Sequence, residues 1–336
     1  MNNSIRVRIA PSPTGNLHVG TARAALYNEL FARHNNGAFI IRIEDTDKAR
    51  STPEYEQAIL DGLKWLGINW SEGPDIGGAY GPYRQSERSE EHAKVVKSLL
   101  DTKKAYRCVC APKEKSEGDI PVHSCDCADA NHTTGVIRLQ VAPELVAFPD
   151  TIRGEVKVHT NSFGGDFVIA RDINDPLFHL AVVCDDEAMK ITHVIRGEDH
   201  LHNTIKHILI QKALGYSQPI YAHLPLLLDE QRKKLSKRSG ETNVLAFRDM
   251  GYLPQTIINY LALLGWNNGD DREFYTHEEL GQTFTLDRVQ KSGAIFSMTK
   301  LSAMNKKYLS ELSDEELLAW GMYHYTQKNI PVNDSS

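Results

Sequence analysis

The stretch RIAPSPTGNLHVGTARAALYNELFARHNNGAFIIRIEDTD, residues 8–47, decides the fold. At its start, residues 5–9 (IRVRI) alternate apolar and charged side chains, which is the period of a β-strand. Apolar residues at positions 19, 22, 26 and 30 then follow the period of a helix, and Asn36-Gly37 predicts its end. The segment AFIIRIE predicts a second strand. Strand, helix and strand in this order predict the crossover unit of a parallel sheet.

Two charged residues stand at the ends of these predicted strands, Arg8 after the first and Glu44 after the second. A right-handed crossover brings the C-terminal ends of parallel strands to one edge of the sheet, where open α/β sheets bind ligands. We therefore expect Arg8 and Glu44 to line a binding crevice. The alternative is an ordinary ion pair between them at the surface, which would contribute little stability.

The loop before the predicted helix has the chemistry of an anion site. Residues 12–15 (SPTG) form a turn sequence that exposes backbone N–H groups, and His18 stands at the positive end of the helix dipole. Gly20 lets a ligand approach the backbone, and Thr14 and His18 can donate hydrogen bonds to phosphate oxygens. These residues predict a phosphate cradle without the lysine of a P-loop.

The composition predicts a soluble globular protein. The chain has 336 residues, of which 41% are apolar and 24% charged, and no apolar run reaches the roughly 18 residues that a membrane helix needs. Arg6 and Arg8 interrupt the region where a signal peptide would have its apolar core, so we expect a cytosolic location. A net charge of −6 argues against bulk polyanion binding, although a local basic patch can still bind a nucleic acid.

The five cysteines predict thiol or metal chemistry, because their number is odd and no export signal is evident. Cys108-Val-Cys110 and Cys125-Asp-Cys127 place four thiols in two close pairs, which suits tetrahedral zinc. The alternative is four unligated thiols. Cys184 falls in an apolar, strand-like run, so we expect it to pack in the core.

Several motifs resemble one family. PSPTGNLHVG (residues 11–20) resembles the HIGH signature of class I aminoacyl-tRNA synthetases, and KLSKR (234–238) resembles their KMSKS loop. More narrowly, the chain is similar to bacterial glutamyl-tRNA synthetase from Arg6 to about residue 325. The motifs that carry this similarity are RIAPSPTG, RIEDTD at 42–47, GPYRQSER at 81–88, HVIRGEDH at 193–200 and HLPLLL at 223–228.

The resemblance implies an α/β fold. We expect a Rossmann-like parallel sheet in two halves, 1–88 and 186–240, an inserted acceptor-binding domain at 89–185, and a helical stem-contact domain at 241–336. Bacterial glutamyl enzymes continue into an anticodon-binding half, and this sequence ends near that junction. We expect either a fragment or a naturally short relative.

The resemblance also implies the site. The glutamate pocket would be lined by Arg8, Ala10, Ser12, Glu44, Phe178 and Arg196. ATP would be held by Thr14, Gly15, His18, Gly20 and Lys237, and the catalytic residues would be His18, Lys234 and Lys237. ATP with Mg²⁺, one structural Zn²⁺ on the four paired cysteines, and tRNA(Glu) are the implied cofactors and partner, and we expect a monomer.

Phe178 departs from the family pattern, because glutamate enzymes usually carry a tyrosine there whose hydroxyl contacts the amino acid. It either lines the pocket without that donor or packs in the core. The basic run RKKLSKR (232–238) alone would fit a solvated surface, but its place after a predicted strand favours the catalytic loop. Three other hypotheses stay open: a glutamyl-queuosine tRNA synthetase, a glutaminyl enzyme, disfavoured because PSPTG replaces PEPNG, and a noncatalytic paralogue.

Overall fold

The computed structural model describes residues 4–111, 122–123, 125–236 and 242–327. Its strands are β1 (Arg6–Ile9), β2 (Ala38–Ile41), β3 (Ala105–Cys108), β4 (Val136–Leu139), β5 (Leu145–Asp150), β6 (Gly154–His159), β7 (Phe167–Asp172), β8 (Asp175–Pro176), β9 (His193–Gly197), β10 (Ile220–Leu224), β11 (Leu227–Leu228) and β12 (Ala294–Ile295).

The helices are α1 (Val19–His34), α2 (Pro53–Trp65), α3 (Ser89–Asp101), α4 (Phe178–Ala188), α5 (Leu201–Leu214), α6 (Val244–Asp249), α7 (Pro254–Leu263), α8 (His277–Thr283), α9 (Met298–Ser310) and α10 (Asp314–Gln327). Short 3₁₀ helices lie at Gln85–Arg88, Asp126–Ala128, Thr160–Phe163, Glu198–His200 and Leu286–Arg288.

The central strands are parallel, as the sequence predicts. β1 pairs with β2, and β10 pairs with β9 on one side and β5 on the other. Thr192, just before β9, donates its backbone N–H to the carbonyl of Arg6 at 2.9 Å, so β1 lies beside β9. The chain winds outward from β1 through α1 to β2, and outward from β9 through α5 to β10. The C-terminal ends of β1 and β9 therefore flank the point where the winding direction changes, and such points bind ligands.

The predicted helix after β1 is confirmed as α1, but its end differs in detail. Asn36, with φ of 50°, takes the left-handed conformation that was expected of the glycine. A Cβ at Gly37 would lie 2.5 Å from the carbonyl oxygen of Ile5. Gly37 therefore serves the close approach of the chain to β1, and Asn36 ends the helix.

The segment between α3 and α4 forms a second sheet, in which β3, β4, β7 and β8 pair antiparallel in that order. Strands β5 and β6 also fall within the range predicted for the inserted domain, yet β5 pairs with β10 of the central sheet. The domain ranges themselves stay a prediction.

The strand-like run around Cys184 is a helix, α4, so that part of the prediction is wrong. An apolar run that is buried on most sides has no clear period, and its local pattern cannot separate a strand from a buried helix. The expectation that Cys184 packs in the core is confirmed, because its side chain is buried against the cluster that contains Leu180 and Ile205.

The helical region from α6 onward packs against the first half of the sheet. Trp266, Tyr260 and Phe284 are buried in the same core as Leu26 and Leu30 of α1. Within the region expected to be helical, the segment LPQTIINYLALLG contains α7. Among the described residues, we find no helix with both the length and the apolar character to cross a membrane.

Candidate active site

A cavity of about 390 Å³ opens at the C-terminal ends of β1 and β9. It brings together nine of the residues predicted for the site, which come from five separate parts of the chain: Arg8, Ala10, Ser12, His18, Gly20, Glu44, Phe178, Arg196 and Lys234. Thr14 and Gly15 line an adjoining pocket of about 210 Å³ that shares Ser12 and His18 with the cavity. The structure therefore brings these residues together, and Arg8 and Glu44 lie at one edge of the sheet as the crossover predicts, while the roles of the residues stay a prediction.

Arg8 and Glu44 do not pair with each other. Arg8 donates two hydrogen bonds to Asp186 of α4, at 3.0 and 3.1 Å, and Glu44 accepts one from Arg42 at 3.2 Å. Arg42 also contacts Asp186 at 2.6 Å, so one buried network holds both cavity residues. The surface ion pair considered from the sequence is thereby ruled out for these described side chains.

The charges of this network set its protonation. Burial by itself raises the pKa of Asp186, but the adjacent Arg8 and Arg42 outweigh that effect and lower it to about 2. Burial raises the pKa of Glu44 above its usual value, and Arg42 and Arg8 oppose that shift only in part. A cationic ligand group beside Glu44 would favour its ionised form.

Arg196 is a buried cation whose hydrogen-bond partners among the described residues are all uncharged. Its guanidinium contacts Nε2 of His223 at 3.2 Å, Oγ1 of Thr204 at 2.6 Å, Nδ1 of His207 at 3.4 Å and the carbonyl of His200 at 3.3 Å. Among the described residues it forms no ion pair. Burial, followed by repulsion from Arg8, lowers the pKa of Arg196 to about 10, so it stays charged at neutral pH. An uncompensated buried cation of this kind favours an anionic ligand.

Phe178 lies on the cavity wall and is half buried. Its ring packs against the rings of His179, His200 and His207, with centroid distances of 5.3, 6.1 and 5.9 Å. Burial, followed by the positive charges of Lys206 and Arg196, lowers the pKa of His179 to about 4, and burial also lowers the pKa of His207 and His200. This wall is therefore aromatic and uncharged at neutral pH.

His18 caps the N-terminus of α1. The backbone N–H of Gly20 donates to its Nδ1 at 3.0 Å, so a neutral His18 carries its proton on Nε2. A Cβ on residue 20 would lie 3.2 Å from that ring nitrogen, which explains why a glycine follows the motif histidine. The helix N-terminus and the Nε2–H donor give the cradle two features that favour phosphate.

Lys234 and Leu235, in the described part of the KLSKR loop, line the same cavity as His18. Lys234 lines the cavity and forms an ion pair of 3.0 Å with Asp199. Val19 donates its backbone N–H to the carbonyl of Thr242 at 2.9 Å, and Val244 donates to that of Leu17 at 2.9 Å. These backbone bonds anchor the chain after the loop next to His18. Lys237 lies outside the described residues, so its role stays a prediction.

The paired cysteines come together with a histidine that the sequence prediction missed. Sγ of Cys108, Cys110 and Cys125 and a ring nitrogen of His123 all lie within 4.8 Å of one another, the geometry of a four-ligand metal site. Cys127 is not a member of this group, although its Sγ lies 3.6 Å from that of Cys110. The H-x-C spacing of His123 and Cys125 is the sequence feature that could have indicated His123 as a ligand.

Sequence reasoning also missed the residues behind the cavity wall. Asp186, Thr204, His207 and His223 contact Arg8 or Arg196, but none of them was predicted as a site residue, although His223 opens the HLPLLL motif. Only the fold brings them to these arginines, because they lie on α4, α5 and β10.

A doubly wound sheet with a HIGH-like helix cap, a basic loop beside it and an anion-seeking cavity is the architecture of a class I aminoacyl-tRNA synthetase. The sequence model of the family described as "tRNA synthetases class I (E and Q), catalytic domain" matches residues 4–119 and 121–303, and the chain belongs to this family.

Individual relatives of this chain carry names more specific than that of the family. "Glutamate--tRNA ligase 1" of Thermoanaerobacter pseudethanolicus is 45% identical over 96% of this chain and 70% of its own length. "Glutamate--tRNA ligase" of Sulfurihydrogenibium sp. is 48% identical over 92% of this chain and 68% of its own. The crystal structure of glutamate-tRNA synthetase from Elizabethkingia anophelis superposes with a TM-score of 0.89 and 36% identity, and covers 99% of this chain and 76% of that one.

Proposed function

We propose that this protein is a glutamate–tRNA ligase, which activates glutamate with ATP and transfers it to tRNA(Glu). The observation that carries the proposal is the buried Arg196, which has uncharged partners and faces a cavity shared with Arg8 and Glu44. A dicarboxylic amino acid supplies two carboxylates for the arginines and one ammonium for Glu44. The named relatives are consistent with this substrate.

Each cavity residue then has a role. Arg196 binds the side-chain carboxylate of glutamate, and Asp186 holds Arg8 in the same cavity. Glu44 accepts hydrogen bonds from the ammonium group. Ala10, Ser12 and Phe178 complete the glutamate pocket. Thr14, Gly15, His18 and Gly20 hold the phosphates of ATP, while Lys234 and Lys237 neutralise negative charge on them.

The first reaction is attack of the glutamate α-carboxylate on the α-phosphate of ATP, which forms glutamyl adenylate and releases pyrophosphate. A carboxylate is already an adequate nucleophile, so positioning and charge stabilisation contribute more than a general base. The acyl group then passes to the terminal ribose hydroxyl of the tRNA. Mg²⁺ is expected to accompany the phosphates of ATP.

The cysteine cluster suits a structural zinc ion. The Sγ of Cys108 and Cys125 are 4.0 Å apart, and Nε2 of His123 lies 3.5 and 3.1 Å from them. Tetrahedral zinc with bonds of about 2.0–2.3 Å requires separations close to these. We assign Cys108, Cys110, Cys125 and His123 as the ligands, and place Cys127 beside them.

The inserted domain would contact the acceptor end of the tRNA and the helical region its stem, and the enzyme would act as a monomer in the cytosol. A glutamyl-queuosine enzyme would share the activation step and differ in the acceptor, a modified tRNA base. A noncatalytic paralogue would be expected to lose His18, Lys237 or Glu44, and the chain retains all three.

The test is ATP–pyrophosphate exchange with glutamate, measured with and without tRNA(Glu). We expect exchange only when tRNA is present, because the resembling enzymes need tRNA to complete the site. Strong exchange without tRNA would contradict that requirement. Glutamylation of an unmodified tRNA(Glu) transcript, with none of a queuosine-containing tRNA(Asp), would exclude the alternative acceptor. Absence of exchange with glutamate under both conditions would refute the proposed function.

A further inference from the structure

Hydrogen bonds connect three buried side chains in a series that ends at Arg196. Oδ2 of Asp150 lies 2.6 Å from Nδ1 of His223, and Nε2 of the same ring lies 3.2 Å from Nε of Arg196. The relative exposures of Asp150, His223 and Arg196 are 3%, 0% and 8%. Asp150 stands at the end of β5, His223 on β10 and Arg196 on β9, so adjacent parallel strands supply the three groups.

The hydrogen bonds determine where the proton of His223 resides. The guanidinium Nε–H of Arg196 can only donate, so Nε2 of His223 must accept. The imidazole proton is then on Nδ1, where the Asp150 carboxylate accepts it. Burial, the largest cause, lowers the pKa of His223, and the hydrogen bond to Asp150 offsets only part of that shift. The ring is therefore neutral when it faces the arginine.

Asp150 is itself held in one orientation. Its Oδ1 accepts backbone N–H bonds from Ile152 at 3.0 Å, Arg153 at 2.8 Å and His223 at 3.3 Å. Burial raises the pKa of Asp150, but the hydrogen bonds from His223 and the backbone outweigh it and leave the pKa below its usual value. The carboxylate thus stays ionised, with Oδ2 directed at His223.

We propose that Asp150 and His223 are positioning residues for substrate recognition: they fix Arg196 by a neutral acceptor, so that its remaining N–H, on Nη1, meets the side-chain carboxylate of the amino acid. An acidic residue in contact with Arg196 would fix it equally well but would compete with the substrate. A neutral imidazole fixes the guanidinium and leaves its charge uncompensated. This proposal rests on the proposed role of Arg196 in binding glutamate.

The variant Asp150→Asn tests the proton placement. The three backbone donors around Oδ1 require the amide oxygen there, so the amide NH₂ faces Nδ1 of His223. That nitrogen must then accept, which moves the imidazole proton to Nε2, against the N–H of Arg196. With one donor opposed to another, we expect the KM for glutamate to rise about tenfold to a hundredfold, while the KM for ATP does not change.

Two substitutions of His223 separate positioning from packing. The side-chain oxygen of His223→Gln can replace Nε2 as an acceptor for Arg196, whereas His223→Asn reaches only the position of Nδ1 and leaves Arg196 without that acceptor. We expect both variants to lose thermal stability. The KM for glutamate should rise strongly in His223→Asn. In His223→Gln it should stay close to the value of the unsubstituted protein.

His92→Asn is the matched control. His92 forms the same kind of buried pair with Asp185, at 2.8 Å, and neither residue lines the cavity. The control should lower the melting temperature and leave the KM for glutamate unchanged.

The variant Arg196→Gln, measured in the same aminoacylation assay, distinguishes failure of the positioning proposal from failure of the proposed role of Arg196 in binding glutamate. If it raises the KM for glutamate but Asp150→Asn and His223→Asn do not, the positioning proposal is overturned and the role of Arg196 stands. If Arg196→Gln also leaves that KM unchanged, the assignment of Arg196 to glutamate fails, and the positioning proposal fails with it.

Discussion

Arg8 of β1 is bound by Asp186 of α4 through two hydrogen bonds, between Nε and Oδ1 at 3.0 Å and between Nη2 and Oδ2 at 3.1 Å. This bidentate geometry fixes the plane of the guanidinium. The same carboxylate holds Arg42, which in turn binds Glu44. One aspartate outside the recognised motifs therefore orients two residues of the cavity.

Replacing this aspartate should destabilise the protein. Asp186→Asn leaves the buried Arg8 without its carboxylate and Arg42 with Glu44 alone, and removing one partner of a buried ion pair typically costs about 3–5 kcal/mol in the free energy of unfolding. Urea denaturation followed by circular dichroism measures the change. A loss of under about 1 kcal/mol would mean that the network contributes no more than a surface pair.

The same aspartate predicts a pH dependence. Its pKa in the folded protein is about 2, lower than the usual 3.8. A depressed folded-state pKa contributes stability that is complete above the unfolded-state pKa and is lost as the pH falls through the folded-state value. We expect the free energy of unfolding to fall between pH 3.8 and about 2, and to fall less steeply in Asp186→Asn. Equal slopes in the two proteins would contradict this assignment.

Lys237→Ala tests the basic loop. Removing one preorganised charge from the transition state of adenylate formation should lower kcat by about a hundredfold or more. Lys233→Ala is the matched control, because Lys233 belongs to the same loop and does not line the cavity. Near-normal turnover of Lys237→Ala, or an equal loss in the control, would remove the catalytic role from Lys237.

The cysteine cluster predicts about one zinc ion per chain by metal analysis. Cys108→Ser and His123→Ala should each lower both the zinc content and the melting temperature, because binding of a structural metal contributes directly to folding. Cys127→Ser should retain the metal, and Cys184→Ser should change stability alone. Metal-free protein that remains stable would favour unligated thiols. Loss of zinc in Cys127→Ser, with retention in His123→Ala, would restore the ligand set predicted from the sequence.

The sequence was sufficient to predict those parts of the fold that a short-range pattern determines. The strand, helix and strand over residues 6–41 follow from periodicity, and the place of Arg8 and Glu44 at one edge follows from the handedness of the crossover. α4 was missed as a helix because its apolar residues surround it and leave no period to detect.

The partners of the cavity arginines could not be predicted for a different reason. Asp186 is 178 residues from Arg8 along the chain, and Asp150 is 73 residues from His223. No local pattern links such pairs, since their contact depends on which strands become neighbours. His123 could have been predicted, because its H-x-C spacing from Cys125 is that of a metal ligand pair, but the sequence hypothesis placed the zinc on the four paired cysteines.

Phe178→Tyr restores the residue that resembling enzymes usually carry. Phe178 lines the cavity, half buried, so on the proposed function a new hydroxyl on its ring would lie beside the amino acid. One additional donor to a polar ligand contributes about 0.5–1.5 kcal/mol, and we expect the KM for glutamate to fall several-fold with a smaller change in kcat. Steady-state aminoacylation kinetics at saturating ATP and tRNA measure both.

Phe167→Tyr is the matched control for that prediction. The Phe167 ring also contacts His179, at a centroid distance of 6.3 Å, but it is buried and does not line the cavity. Its new hydroxyl should cost roughly 1–3 kcal/mol of stability and leave the KM for glutamate alone. If Phe178→Tyr behaves in the same way, with an unchanged KM and a lowered melting temperature, then Phe178 does not contact the substrate, and the aromatic wall that it forms with His200 and His207 serves packing alone.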